Sequence, residues 1–421
     1  MILVFGLLAL VLMALSVPLF FVFGVSSASV AVWGLGLPGH SLMQVSFDAV
    51  TKQVLVAIPI FVFAGNVMYY GGGARRLVDL GVTMVGHLPG GLGIAMILSI
   101  AVFSAISGSI LASIVAVGGV LMQPMVQKGY PRGFVIVLAA TAALMDALIP
   151  PSNTAIIYSS ITHVPVSKAF TAGILPGLVL GGLLLLYVMW TCRHMERTEP
   201  QPWRARGAAL VGAAPALLLP VIILGGLYGG LLTPAESASV ASIYAVALGL
   251  FVYRELGWKN FWNATRTTAH TTAVIFAIIA MAVYFSIIMT YTRTPQAIVQ
   301  FFIDYNIGPI TFMVLAGVAI LILGTFIEAV PVFYLTMPIL YPLCAALKID
   351  LLHFYVFVTG LIGLGLITPP VCVGVYTAAA ILGTPPQQAF RYVPGFFAVG
   401  IVYAAIVMYF PALATWLPRY W

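Results

Sequence analysis

The stretch "FSAISGSI" places Ser104, Ser107, Gly108 and Ser109 inside a run that is otherwise apolar. Hydroxyls, and carbonyls freed where a helix breaks, are hard oxygen ligands suited to Na⁺. The N–H groups and positive dipole end at the start of a half-helix suit an anion. Three other stretches offer similar chemistry. "IPPSNTA" (149–155) has Pro150 and Pro151 followed by Ser152, Asn153 and Thr154. "GTFIEAVP" (324–331) has Gly324, Thr325 and Glu328, and "TPPVCVG" (368–374) has Thr368, Pro369, Pro370 and Val371. Proline removes a backbone donor, so a double proline inside a long apolar run predicts two half-helices joined by unwound chain. At membrane depth such chain is tolerated where it is buried or lines a cavity. Asp146 and Glu328 lie beside these breaks, and an intramembrane carboxylate is costly enough to suggest a cation or proton site; the structural alternative is a helix cap.

At any one break, close packing of small residues or a simple kink accounts for the pattern. The symmetric recurrence of all four favours a single site that holds an anionic solute and its coupling cation together. Glu236, in "TPAES" after Pro234, is predicted to cap a helix start rather than to bind a solute.

The elements that must position these residues follow from composition. Of 421 residues 62% are hydrophobic and 6% charged, more apolar surface than a soluble core can use. The apolar runs have helical length, so the expected fold is an all-α polytopic membrane protein. The first twenty residues lack a basic start, since the first cation is Lys52, and are expected to be a retained span rather than a leader. Cys192, Cys344 and Cys372 are too few and too far apart for a disulfide framework or a metal cluster. The net charge of +7 is spread as single or paired cations between spans, which argues against a nucleic-acid surface.

Apolar runs predict spans near 2–22, 25–37, 54–70, 132–163, 170–190, 208–227, 235–253, 268–290, 352–382 and 392–416. Two segments remain, 93–127 and 309–347, each long enough for two helices and broken near its centre. These suit re-entrant helical hairpins. With that topology, twelve of the seventeen Lys and Arg residues fall on one side, which the positive-inside rule makes cytoplasmic. Both termini are then outside, the first hairpin opens to the cytoplasm and the second to the outside. The basic, aromatic-bearing segments 74–88 and 254–270 are expected to be interfacial amphipathic helices that brace a scaffold.

The chain also repeats. The double prolines at 150–151 and 369–370 are 219 residues apart, and "LPG" (175–177) precedes "VPG" (393–395) by 218, as Pro124 precedes Pro342. About ten crossings, five per half, make the second repeat upside down relative to the first. The expected domains are residues 1–206 and 207–421, two inverted-topology repeats, each with one hairpin and one broken helix (132–163 and 352–382).

Other motifs carry less. "GLGLPG" (34–39) fits G-x-G-x-x-G but ends an apolar span with no βαβ frame, and the histidines form no H-E-x-x-H. The sequence has no P-loop, which agrees with ion-gradient drive rather than ATP. An enzyme would need a nucleophile with a positioned base, and no such grouping occurs at the breaks.

"IPIFVFAGNVMYYGG", "ISGSILAS", "LIPPSNTAIIY", "AGILPGLVLG", "LTPAESASV", "YPLCAALKIDLLHF", "LITPPV" and "YFPALATWLPR" together resemble the large membrane subunit of tripartite ATP-independent periplasmic (TRAP) transporters, the DctM family. The match runs over nearly the whole chain. It implies an elevator-type permease of the bacterial inner membrane, driven by a Na⁺ gradient without ATP. The implied cargo is a small organic acid, and the implied partners are a periplasmic substrate-binding protein and a small membrane subunit of about four spans. Carried onto this sequence, Ser107, Gly108, Ser109, Ser152, Asn153, Thr154, Thr368, Pro369 and Pro370 would meet the solute. Ser104, Ser107, Gly108, Asp146, Pro150, Gly324, Thr325, Glu328, Thr368 and Val371 would bind Na⁺. Two positions depart from the family pattern, in which an acidic residue often stands at Ser113 and a small one at Asp146. The alternatives are a stand-alone cation-coupled anion symporter, which needs no binding protein, and a non-transporting assembly factor. No arginine cluster reaches the breaks, so a dicarboxylate, a keto acid and a sugar acid all fit.

Overall fold

A computed structural model describes residues 8, 11–13, 15, 17–195 and 198–420. The described chain is helical throughout, with eight helices long and apolar enough to cross a membrane, or ten when two bent pairs each count as one. In order the principal helices are α1 (Leu19–Gly34), α2 (His40–Val50), α3 (Gln53–Tyr70), α4 (Gly73–Val85), α5 (Gly91–Ser107) and α6 (Ile110–Gln127). They continue with α7 (Arg132–Leu148), α8 (Asn153–Thr162), α9 (Val166–Thr191), α10 (Trp203–Tyr228), α11 (Pro234–Val252) and α12 (Trp258–Tyr291). The last are α13 (Thr294–Asp304), α14 (Pro309–Phe326), α15 (Ala329–Ala346), α16 (Leu351–Leu366), α17 (Val373–Leu382) and α18 (Val393–Tyr409).

Both expected hairpins are present. Two residues, Gly108 and Ser109, join α5 to α6, and Ile327 and Glu328 join α14 to α15. Both broken helices are present as well, α7–α8 with a 43° bend at residues 149–152 and α16–α17 with unwound chain at 367–372. Both Pro–Pro peptides are cis. The repeat extends to whole elements: helices that start at 91, 110, 132 and 153 recur at 309, 329, 351 and 373.

Several expected boundaries are corrected. The first part of the proposed span 2–22 lies largely outside the described residues, and its predicted end at residue 22 does not hold, because one helix runs from Leu19 through Gly34. Gly24 is tolerated inside it because the chain packs there on Met281, whose sulfur would stand 2.8 Å from a Cβ. Segment 254–270 does not form a separate interfacial helix. Residues 258–291 contain neither Gly nor Pro, so the chain continues without interruption into the 34-residue α12. The final span bends by 75° after Tyr409, where Pro411 cannot extend the ladder. The amphipathic α2 and α13 were not anticipated; α13 is the repeat partner of α4.

Two groups of helices meet at the site. The first is a frame: α12 packs along α1, α2 and α3, α11 on α3, and α10 on α4 and α11. Arg76 on α4 bonds Glu255 at 2.8 Å and lies 3.8 Å above the Tyr253 ring, pinning α4 to the loop before α12. In the second group, α7 and α16 form the centre, with residues 133–142 and 353–366 buried without exception. The hairpins, α8, α9, α17 and α18 surround them, and the two groups touch along α3–α5, α4–α5 and α12–α15.

Candidate functional site

The first hairpin turns because Gly108 takes a left-handed conformation at φ 59°. It also needs to be glycine for space, since a Cβ there would lie 2.6 Å from the Pro151 carbonyl oxygen. The Asn153 N–H donates to the Gly108 carbonyl at 3.3 Å, fastening the tip to the first break. From this tip Ser107 Oγ donates to Asp146 Oδ1 at 2.9 Å, and Ser113 Oγ lies 3.2 Å from Ser107 Oγ. The Ser104 and Ser113 hydroxyls also face the carboxyl group. Ser104 donates its own proton to Ile100 O at 2.7 Å, which leaves its lone pairs free.

Asp146 is fully buried, and its Oδ2 has no hydrogen-bond partner. No salt bridge reaches it among the described residues. The backbone adds further oxygens here. In an unbroken helix the N–H groups of residues 150 and 151 would bond the carbonyls of Asp146 and Ala147. Both positions are proline, so neither donor exists. The Ala147 carbonyl is served instead by Ser152 Oγ and Thr154 Oγ1, each at 2.9 Å, and by Tyr355 Oη at 3.1 Å. The Asp146 carbonyl has lost its donor to Pro150. A buried carboxylate with one unsatisfied oxygen, bare hydroxyl lone pairs and a freed carbonyl form a hard-oxygen set that fits a monovalent cation such as Na⁺.

The second hairpin is built differently. Gly324 on α14 lies against the α16 backbone: a Cβ on Gly365 would stand 2.4 Å from the Gly324 carbonyl carbon. Thr325 Oγ1 returns to Ile322 O and Thr368 Oγ1 to Leu364 O, both at 2.8 Å. Pro369, Pro370 and Val371 are exposed. No hydrogen bond among the described residues joins the Glu328 side chain to Thr325, Thr368 or Val371. The structure therefore assembles Ser104, Ser107, Gly108, Asp146 and Pro150 into one cluster. Among the described residues no hydrogen bond ties the second set together in the same way, and Glu328 lines a cavity.

That cavity, of about 370 Å³, lies where the two groups of helices meet. Gly108, Ser109, Asn153, Thr154 and Glu328 line it from the hairpin side. The first residues of α6, α8 and α15 all face it, so three helix N-termini direct N–H groups and positive dipole ends to one space. Asn153 Oδ1 is buried and unpartnered. Ser152 is turned inward to Ala147 and does not line the cavity; nor do Thr368, Pro369 and Pro370.

Sequence reasoning missed the opposite wall. Asn66 on α3 and Thr267, His270 and Thr271 on α12 complete it, and Asn66 Nδ2 donates to Thr268 Oγ1 at 2.9 Å to join the two helices. Their signal was present: residues 267, 270 and 271 have the i, i+3, i+4 spacing of one helix face.

Comparisons with known proteins agree with this geometry. The family model described as "Tripartite ATP-independent periplasmic transporter, DctM component" matches residues 6–413. A C4-dicarboxylate TRAP transporter large permease protein, DctM, of Pseudomonas aeruginosa is 34% identical over 384 residues, covering 90% of this chain and 90% of that protein. An isethionate TRAP transporter permease protein, DctMQ, of Oleidesulfovibrio alaskensis is 32% identical over 420 residues, 97% of this chain and 65% of that longer protein. Among solved structures, the Alcanivorax borkumensis YdaH transporter superposes with a TM-score of 0.62 at 15% identity, covering 90% of this chain and 88% of that one, a likeness of fold. The chain is a multi-pass membrane protein that belongs to the DctM family of TRAP transporter large permeases, a family of transporters rather than enzymes.

Proposed function

We propose that this chain carries a small organic acid across the bacterial inner membrane, driven by Na⁺ entering with it, by sliding the hairpin-bearing group of helices along the frame. The observation that carries the reading is the adjacency of the Asp146 cluster, suited to a cation, and a cavity ringed by three helix N-termini, suited to an anion. Filling both sites neutralises each before the loaded group moves through the low-dielectric core.

The motion is supported by the character of the seam. Side-chain hydrogen bonds cross between the two groups at Lys52, whose Nζ donates to Ser160 O at 3.1 Å, and at Ser99, whose Oγ donates to Leu77 O at 3.3 Å. Among the described residues the seam also shows close glycine packing, such as Gly65 against Ser107. The division into repeats 1–206 and 207–421 supports alternating access, because each half supplies one hairpin and one broken helix. The positive-inside count supports periplasmic termini. Family membership supports a periplasmic binding protein and a small membrane subunit as partners, and the longer relative, named DctMQ, favours the latter.

The test is uptake of succinate, a C4 dicarboxylate, or isethionate into liposomes holding this chain with a TRAP-type binding protein and small membrane subunit from its own organism. Accumulation that needs both the binding protein and an inward Na⁺ gradient is expected. Uptake without the binding protein would favour a stand-alone symporter, and uptake indifferent to Na⁺ would refute the coupling.

A further inference from the structure

The Tyr355 hydroxyl belongs to the second repeat, yet it donates to the Ala147 carbonyl in the break of the first, 3.1 Å away. That carbonyl lost its own donor to Pro151, and it follows Asp146 directly in the chain. Tyr355 is fully buried, and its ring is held by Tyr158 on α8 at 4.9 Å and by Phe333 on α15 at 6.4 Å between centroids. Tyr158 in turn donates to the Leu351 carbonyl at 2.7 Å, at the start of the helix that carries Tyr355. Few torsions remain by which this hydroxyl could leave Ala147. The equivalent residue in the first repeat is Ile136, so the device serves one break and not the other.

From this geometry we infer that Tyr355 is a positioning residue for the cation site: its hydroxyl fixes the Ala147 carbonyl, and through it the chain direction that aims the Asp146 carboxylate at the ion. Because its ring rests on Phe333, five residues after Glu328 on the second hairpin, it also links the setting of that hairpin to cation affinity. The inference rests on the proposed cation coupling and adds to it a residue that touches neither ion nor solute.

The probe is Na⁺ alone. The full chain in lipid nanodiscs is titrated with NaCl at constant ionic strength against choline chloride, following the unfolding midpoint. Tyr355→Phe keeps the ring and removes one hydrogen bond. It is expected to raise half-saturating Na⁺, read from the concentration at which the midpoint begins to climb, by roughly three- to tenfold with the same slope against log[Na⁺], the size of one net hydrogen bond. Thr154→Val, which removes another donor to Ala147, is expected to shift the curve in the same direction. Tyr403→Phe is the control, since that tyrosine is equally buried and its hydroxyl has no partner; its curve should overlie the unsubstituted one. A purely structural role would lower the midpoint at every Na⁺ concentration without moving half-saturation. If Asp146→Asn shifts the curve and Tyr355→Phe does not, the role of Tyr355 is overturned while the cation site stands. If the unsubstituted chain ignores Na⁺, both fall.

Discussion

Replacing Asp146 by Asn separates two effects with opposite signs. Asn keeps the shape and still accepts from Ser107 through Oδ1, so the 2.9 Å hydrogen bond survives. At the Oδ2 position, however, an unpartnered acceptor becomes an NH₂ donor aimed where a cation would sit. Losing one charge-assisted contact costs about 1.5–3 kcal/mol, which weakens half-saturating Na⁺ by roughly ten- to more than a hundredfold. Without Na⁺ the sign reverses, because the unsubstituted chain then buries a carboxylate with no cationic partner and the variant does not. The assay is thermal unfolding in lipid nanodiscs, with NaCl exchanged for choline chloride. The variant should unfold at or above the unsubstituted midpoint in choline and gain little on adding Na⁺, since each tenfold loss of affinity removes about 1.4 kcal/mol of ligand stabilisation near saturation. A variant that keeps the full Na⁺-induced rise would refute the assignment of Asp146 as a cation ligand.

Two glycines and a cap give further tests. Gly108→Ala should destabilise by about 1–3 kcal/mol, read as a lowered unfolding midpoint, because it strains a left-handed turn and meets Pro151 O at 2.6 Å. Gly365→Ala should be worse, failing to accumulate in the membrane, because the obstructing atoms, 2.4 Å away, belong to the Gly324 backbone and cannot rotate aside. Thr233→Ala removes the capping box that Thr233 forms with Glu236 at the start of α11, and should cost about 1 kcal/mol of stability while leaving Na⁺ half-saturation unchanged.

Much of the architecture was legible because its signals are local. Pro150–Pro151 and Pro369–Pro370 withdraw donors whatever the surroundings, and Ser107–Gly108–Ser109 marks a tip wherever a long apolar run must turn. The capping role of Glu236 was legible for the same reason. What stayed hidden depends on contacts between distant segments. Nothing near Tyr355 in the sequence points to Ala147, 208 residues away. Ser152 looked like a solute ligand because sequence cannot show that its hydroxyl turns back, as that of Thr154 does, to a carbonyl orphaned by proline; Thr154 nonetheless lines the cavity. Glu328 looked like a partner of Thr325 and Thr368, but the second tip closes through Gly324 and Gly365 and leaves the carboxylate to the cavity. Segment 254–270 was misjudged for a different reason. Its charges suggested an interface, while the absence of Gly and Pro through residue 291 let the helix continue.

The central claim is that cation and solute move together through the site built on Asp146. The most direct measurement is the entry of radioactive sodium into liposomes that hold the chain and its partners, recorded while solute is added outside. Sodium entry is expected to start with solute entry, in fixed proportion to it, and to be lost in Asp146→Asn. Solute entry with no accompanying sodium, or unchanged sodium entry in Asp146→Asn, would contradict the claim.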